Sequence, residues 1–258
     1  MTGRAIAKLA AVLVASGLCL PSLSQAESLS GPGSGGVGLG ESVWSAARIA
    51  SGVVQPGDVT ATATGNGIAV SARISAVLTH ALHFTGTVAN PGPGQRVVIQ
   101  RLDRKQGWID TAGARVAGDG SFVAVWRTDH IGRFPIRALL EPSTGGGPRA
   151  ATDSSSLQVT VYRAALATLY GPGFYGSTTA CGQVLRQNTL GVAHRWLPCG
   201  TPVAIYFGSR TIVVPVIDRG PYANGADWDL TEATARALGM SGTETIGAVS
   251  LPRSSIKG

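Results

Sequence analysis

Between residues 58 and 162 no helix-like periodicity survives beyond a few residues, and short alternating or β-branched runs recur instead. They cover 59–64, 68–74, 82–88, 95–102, 108–116, 121–127, 132–140 and 157–162. Gly, Pro, Asn and Asp separate them, as at Asn90-Pro91-Gly92 and Gly118-Asp119-Gly120. Branched side chains suit a pleated, half-buried surface, and those turn residues end it. Seven or eight strands at this spacing predict an immunoglobulin-like β-sandwich over residues 57–163. Trp108, Phe122, Trp126 and Phe134 fall on the runs and are expected to pack its core. The Gly/Ser/Pro stretch 141–156 is a loop within it. The sandwich carries no catalytic constellation; its expected task is to space or dock a second domain nearer the C-terminus, with a protein partner as one use of its surface.

Upstream, Arg4 and Lys8 precede an apolar run from 9 to 20 and then Ser24-Gln25-Ala26. That order reads as a signal peptide over 1–26, cut after Ala26, so an exported protein of the cell wall, periplasm or extracellular space is expected. The run is too short for a bilayer core that needs roughly twenty residues, and no membrane span is expected. Cys19 follows Leu18, whereas lipid attachment wants Gly or Ala at that place. Residues 27–56 read as a Gly/Ser-rich linker.

Beyond the leader only Cys181 and Cys199 remain, and two cysteines in an exported chain predict a disulfide. A nucleophile or a metal pair is the rival reading, but no CxxC or second histidine lies nearby, and no metal or cofactor is expected. The formal net charge is +7, spread as scattered arginines. This favours an anionic polymer as partner, while the absence of a basic run interleaved with aromatics argues against nucleic acid.

From Ala164 the pattern changes to Tyr170-Gly-Pro-Gly-Phe174-Tyr175-Gly176, Thr179-Ala-Cys-Gly-Gln183, Ala193-His194-Arg195-Trp196, Ile217-Asp218-Arg219-Gly220-Pro221 and Trp228-Asp229-Leu230-Thr231. In this order the five motifs resemble the rare lipoprotein A family of double-psi β-barrels and, more distantly, barwin-like and expansin proteins. The resemblance covers residues 167–240 and implies a six-stranded barrel with one short helix over 164–251, which with the sandwich before it makes an all-β chain, followed by a tail over 252–258. Local chemistry agrees. Apolar runs 203–207 and 211–217 flank Gly208, which can supply the positive φ of a tight hairpin. Pro215 requires its strand to be at an edge or bulged. Thr231 can cap a helix ended by Gly239.

The resemblance implies that Asp218 is the catalytic acid/base of a protein acting on peptidoglycan glycan strands, a lytic transglycosylase. It implies that His194 stands in the same groove and shares or orients a proton. Family enzymes carry Glu after Thr-Ala-x-Gly where this chain has Gln183, which can hydrogen-bond a sugar but cannot transfer a proton. The alternative is therefore a non-catalytic glycan-binding or wall-loosening module. Hydrolysis normally needs two carboxylates. Lytic transglycosylation can proceed with one, because the sugar's own 6-hydroxyl attacks its anomeric carbon. Tyr170, Phe174, Tyr175, Trp196 and Tyr222 are candidate sugar platforms, about half of them facing the groove. Asp229 reads as structural, placed where a carboxylate favours a helix start.

Overall fold

The computed structural model describes residues 52–142, 151–222 and 225–253. The leader, most of the linker and the tail's end lie outside the described residues. Among those described, the structure is built from β-strands and one helix of seven residues, and no helix is long and apolar enough to cross a membrane.

In chain order the first strands are β1 (Gln55–Pro56), β2 (Thr60–Gly65), β3 (Ile68–Arg73), β4 (Ser75–Val77), β5 (Ala81–Val88), β6 (Arg96–Asp103), β7 (Gly107–Arg115), β8 (Ser121–Arg127), β9 (Gly132–Leu140) and β10 (Thr152–Asp153). β2, β3, β5 and β8 make a four-stranded antiparallel sheet in that order. Its burial alternates along β5 and β8, so one face is apolar and the other wet. The buried face, with Val70, Phe84, Phe122 and Trp126, shares one core with Val97, Ile99, Ile136 and Val159 of a second sheet. That sheet contains β7, β6, β9 and the first part of β11 (Leu157–Tyr170), with β10 on β9 and β4 parallel to β11. The Gly118-Asp119-Gly120 turn forms as the sequence suggests. Asp119 Oδ1 accepts the Ser121 amide at 2.9 Å, and a Cβ on Gly120 would sit 2.4 Å from the Val88 carbonyl oxygen, so only glycine fits. Trp108 differs from the expected core role: it is half-buried and lies under the Arg137 guanidinium, 4.1 Å from its ring centre.

The remaining elements are β12 (Val192–Ala193), β13 (Pro202–Phe207), β14 (Arg210–Asp218), β15 (Trp228–Thr231), α1 (Glu232–Leu238) and β16 (Glu244–Ser250). They run β15-β12-β14-β13-β16-β11, and β11 pairs back with β15, closing a six-stranded barrel. Val203, Ile205, Ile212, Val214, Val216, Leu230 and Ile246 fill it. The β13–β14 turn places Gly208 at φ 52° and Ser209 at φ 65°, both left-handed, as a two-residue hairpin of this twist requires. Pro215 is not on an edge. It faces Pro202 at the end of the β13 pairing, and the β12 pairing is irregular beside it. The Thr231 hydroxyl accepts the Thr234 amide, and Gly239 closes α1 at φ 79°.

β11 is one continuous strand of fourteen residues. Residues 157–162 pair with β9 and β4, and 163–170 pair with β16 and β15. Tyr162 stacks on Tyr206 of the barrel at 5.6 Å, and Asp58 accepts the Tyr206 hydroxyl at 2.9 Å. β1 lies along the start of β14. Phe84 is fully buried. Truncation to alanine removes its contacts and leaves a cavity, so Phe84→Ala is expected to lower unfolding free energy by about 3–5 kcal/mol in urea titration.

Candidate functional site

A groove of about 500 Å³ opens at the end of the barrel where β11, β12, β14 and β15 meet. Thr168, Tyr170, Phe174, Ala193, Asp218, Arg219, Tyr222 and Asp229 are among its walls. Strand register sets the two carboxylates. Ala193 pairs with Asp218 on one side and with Asp229 on the other, so the two acids flank β12. Thr168 pairs with Asp229 from the remaining side.

Asp218 ends β14, and its Oδ1 accepts the amides of Ala180 at 2.9 Å and Arg219 at 2.8 Å. Arg219 does not pair with that carboxylate. Its guanidinium turns back to the carbonyls of His194 and Asp218 and to Cys199 Sγ. The Ala180 amide belongs to a loop held by the Cys181–Cys199 disulfide, whose Cα atoms are 5.7 Å apart. The bridge joins residues eighteen positions apart, enough to stabilise the fold by about 3 kcal/mol in the chain-entropy model. It thereby fixes one of the two donors to Asp218.

From the sequence Asp229 is expected to lead the helix, but it lies inside β15, two residues before the Thr231 cap. Its neighbours Trp228 and Leu230 are buried in the barrel, so the period of two turns the carboxylate to the groove side. Asp229 Oδ1 accepts the Thr168 hydroxyl at 2.8 Å. Burial raises the Asp229 carboxyl above its usual range, and the charge of Asp218 raises it further, against the Thr168 bond. Burial also raises the Tyr170 phenol strongly, with both aspartates adding to it. The Tyr170 hydroxyl is buried and near enough to Asp218 for hydrogen bonding to add to that rise, although it makes no bond of regular geometry among the described residues.

His194 stands behind the groove wall. Its Nδ1 accepts the amides of Trp196 at 3.1 Å and Leu197 at 3.0 Å, which leaves the proton on Nε2, and its ring packs on Trp228 at 4.5 Å. Its own amide donates to the Asp218 carbonyl at 3.2 Å. The turn it locks presents Trp196, 82% exposed. Arg195 ties that turn to the opposite loop through the carbonyls of Pro221 and Ala226.

Of the five candidate aromatics, Tyr170, Phe174 and Tyr222 line the groove. Tyr175 instead donates its hydroxyl to Glu232. Gln183 is exposed and enters no side-chain bond among the described residues, while its carbonyl accepts the Thr179 amide. No cluster of three or more His, Cys, Asp or Glu side chains among the described residues would hold a metal ion.

A closed barrel with this strand order and a groove at its open end defines the class of double-psi β-barrels. Residues 162–251 match the family model described as lytic transglycolase, and this segment is similar to RlpA-like double-psi barrels. It is 38% identical over 111 residues to the probable endolytic peptidoglycan transglycosylase RlpA of Synechocystis sp., covering 42% of this chain and 34% of that one. A relative of the same name from Aquifex aeolicus is 42% identical over 76 residues, 29% of this chain and 34% of that one. The endolytic peptidoglycan transglycosylase RlpA of Campylobacter jejuni is 38% identical over 85 residues, 31% of each. The chain thus spans about a third of the length of these relatives. Streptomyces papain inhibitor (SPI) aligns at 23% identity and a TM-score of 0.29 over 34% of this chain and 93% of that one, too low to bear on either fold or function.

Burial lowers the His194 imidazole below its ordinary value, helped by the charge of Arg195. The unfolded chain then binds this proton near pH 6.5 while the folded chain refuses it. The contribution to stability is complete above about pH 6.5 and is lost as pH falls through the lower folded value. Denaturant titrations at about pH 7.5 and 5 should show a larger loss for the wild type than for His194→Asn; equal losses would show that His194 does not titrate this way.

Proposed function

We propose that this protein acts on peptidoglycan glycan strands as a lytic transglycosylase, cutting between N-acetylmuramic acid and N-acetylglucosamine. The observation that carries the reading is Asp218, held by two amides in a groove walled by aromatic side chains. The names of its relatives support the substrate. The chemistry requires a proton for the leaving oxygen and a base for the 6-hydroxyl of the muramoyl ring. Asp218 is the acid/base; a single carboxylate suffices in principle, giving its proton and then taking the hydroxyl's. His194 acts as a positioning residue through the backbone it locks around Asp218. Tyr170, Phe174 and Tyr222 contact sugar rings in the groove, and Trp196 and Gln183 contact the strand outside it.

We read the region over 57–163 as an immunoglobulin-like sandwich that holds the barrel on its target or on a protein partner, in an exported protein of the cell envelope cut after Ala26. The shared strand β11 favours a fixed rather than a swinging attachment.

A second reading is a wall-loosening module that grips glycan without cleaving it. Gln183 in place of a carboxylate and the exposed Trp196 and Tyr222 favour it. Incubation of the mature protein with peptidoglycan, intact and stripped of stem peptides, separates the two. Mass spectrometry is expected to detect 1,6-anhydro muropeptides that disappear in Asp218→Asn. Sedimentation with the glycan and no such products would select the binding module.

A further inference from the structure

The single-acid scheme leaves two features of the groove without a use: the Asp229 carboxyl and the Thr168 hydroxyl bonded to it. The titratable and charged groups that line the groove with Asp229 come from the elements packed around it and from Tyr222 in the loop after β14. β11 supplies Tyr170, the end of β14 supplies Asp218 and Arg219, and β12 supplies only Ala193.

We propose that Asp229 is a second catalytic carboxylate, the proton donor to the glycosidic oxygen, and that Asp218 is the base that receives the proton of the sugar 6-hydroxyl. The inference rests on the transglycosylase reading above and divides its acid/base work between two residues.

The geometry assigns the roles. Asp218 accepts two backbone amides, donors that suit a carboxylate kept as an acceptor. Asp229 receives a single hydroxyl bond, is partly buried and faces the charge of Asp218, surroundings that favour its protonated form and suit a proton donor. Thr168 fixes Oδ1 and leaves Oδ2 without a bond among the described residues, free for a substrate oxygen. The two acids belong to strands that flank β12, which sets their backbones roughly 10 Å apart at ordinary strand spacing. A sugar ring therefore has room between them.

The step balances. Asp229 gives its proton to the glycosidic oxygen as the bond from that oxygen to the anomeric carbon breaks, and N-acetylglucosamine leaves with a free 4-hydroxyl. The 6-oxygen of the muramoyl ring bonds to the anomeric carbon, and its proton passes to Asp218. One proton has moved from Asp229 to Asp218, and exchange with solvent through the open groove resets the pair. Tyr170, which stays protonated beside Asp218, can donate its hydroxyl to a sugar oxygen between the two.

The test compares wild type, Asp218→Asn, Asp229→Asn, Asp229→Glu and Thr168→Val on soluble glycan strands stripped of stem peptides, tracking anhydro product release across pH together with thermal unfolding. Asp229→Asn is expected to lose at least about 100-fold in kcat with little change in KM. Its melting temperature should hold or rise at neutral pH, because the folded state no longer has to bear a buried charge beside Asp218. Asp229→Glu should recover part of the rate. Removing the Thr168 hydroxyl, which steadies the charged form, should move the alkaline limb of the rate profile to higher pH. Activity in Asp229→Asn within about threefold of wild type, or a loss matched by a fall in melting temperature and not restored by Asp229→Glu, would overturn the inference and leave the transglycosylase reading standing. An inactive wild type would sink both.

Discussion

The parallel pairing of β11 with β15 is the contact on which the rest of this molecule depends. It closes the barrel, and a closed sheet leaves no edge to pair with other chains. The same register places Thr168 opposite Asp229 and Tyr170 opposite Thr231. Because β11 begins in the second sheet of the preceding β unit, one strand also joins that unit to the groove without a hinge. Closure, attachment and the placement of the acidic site are consequences of one ladder.

Around that ladder the groove is held by hydrogen bonds to backbone groups rather than by ion pairs to its acid. Asp218 is fixed by two amides, one carried on the disulfide-bound loop and the other on its own successor. Arg219, the obvious ionic partner in sequence, spends its donors on carbonyls and sulfur, so the carboxylate stays open to a ligand. His194 and Arg195 lock the neighbouring turn in the same manner. Such a site is preorganised: the charged groups that matter sit where few rotamers are available, a condition for acid/base catalysis and also for rigid sugar recognition.

Much of this is legible in the sequence. The all-β character comes from short branched runs cut by turn residues, and the Gly208 hairpin, the Thr231 cap and the Cys181–Cys199 pair each come from local chemistry. What escapes is whatever depends on pairing between distant strands. Asp229 stands just before a helix in sequence, and the helix dipole supplies a sufficient explanation; only its pairing with β12 and β11 shows the carboxyl facing Asp218. The clue is present in the alternation of Trp228, Asp229 and Leu230, two buried apolar residues around one acid. Tyr175 is indistinguishable from Tyr170 by composition, since its partner Glu232 is 57 residues away. Trp108 reads as core, yet it meets Arg137 on an adjoining part of the sheet.

Asp218 and Asp229 acting as one electrostatically coupled pair in the groove is the point on which the mechanism turns. Carboxyl carbon-13 NMR titration of aspartate-labelled protein, beside Asp218→Asn, addresses it without any substrate. The Asp229 signal is expected to titrate above the ordinary aspartate range, with a midpoint that falls when Asp218 loses its charge. An Asp229 signal that titrates in the ordinary range and is unmoved by that substitution would contradict the coupling.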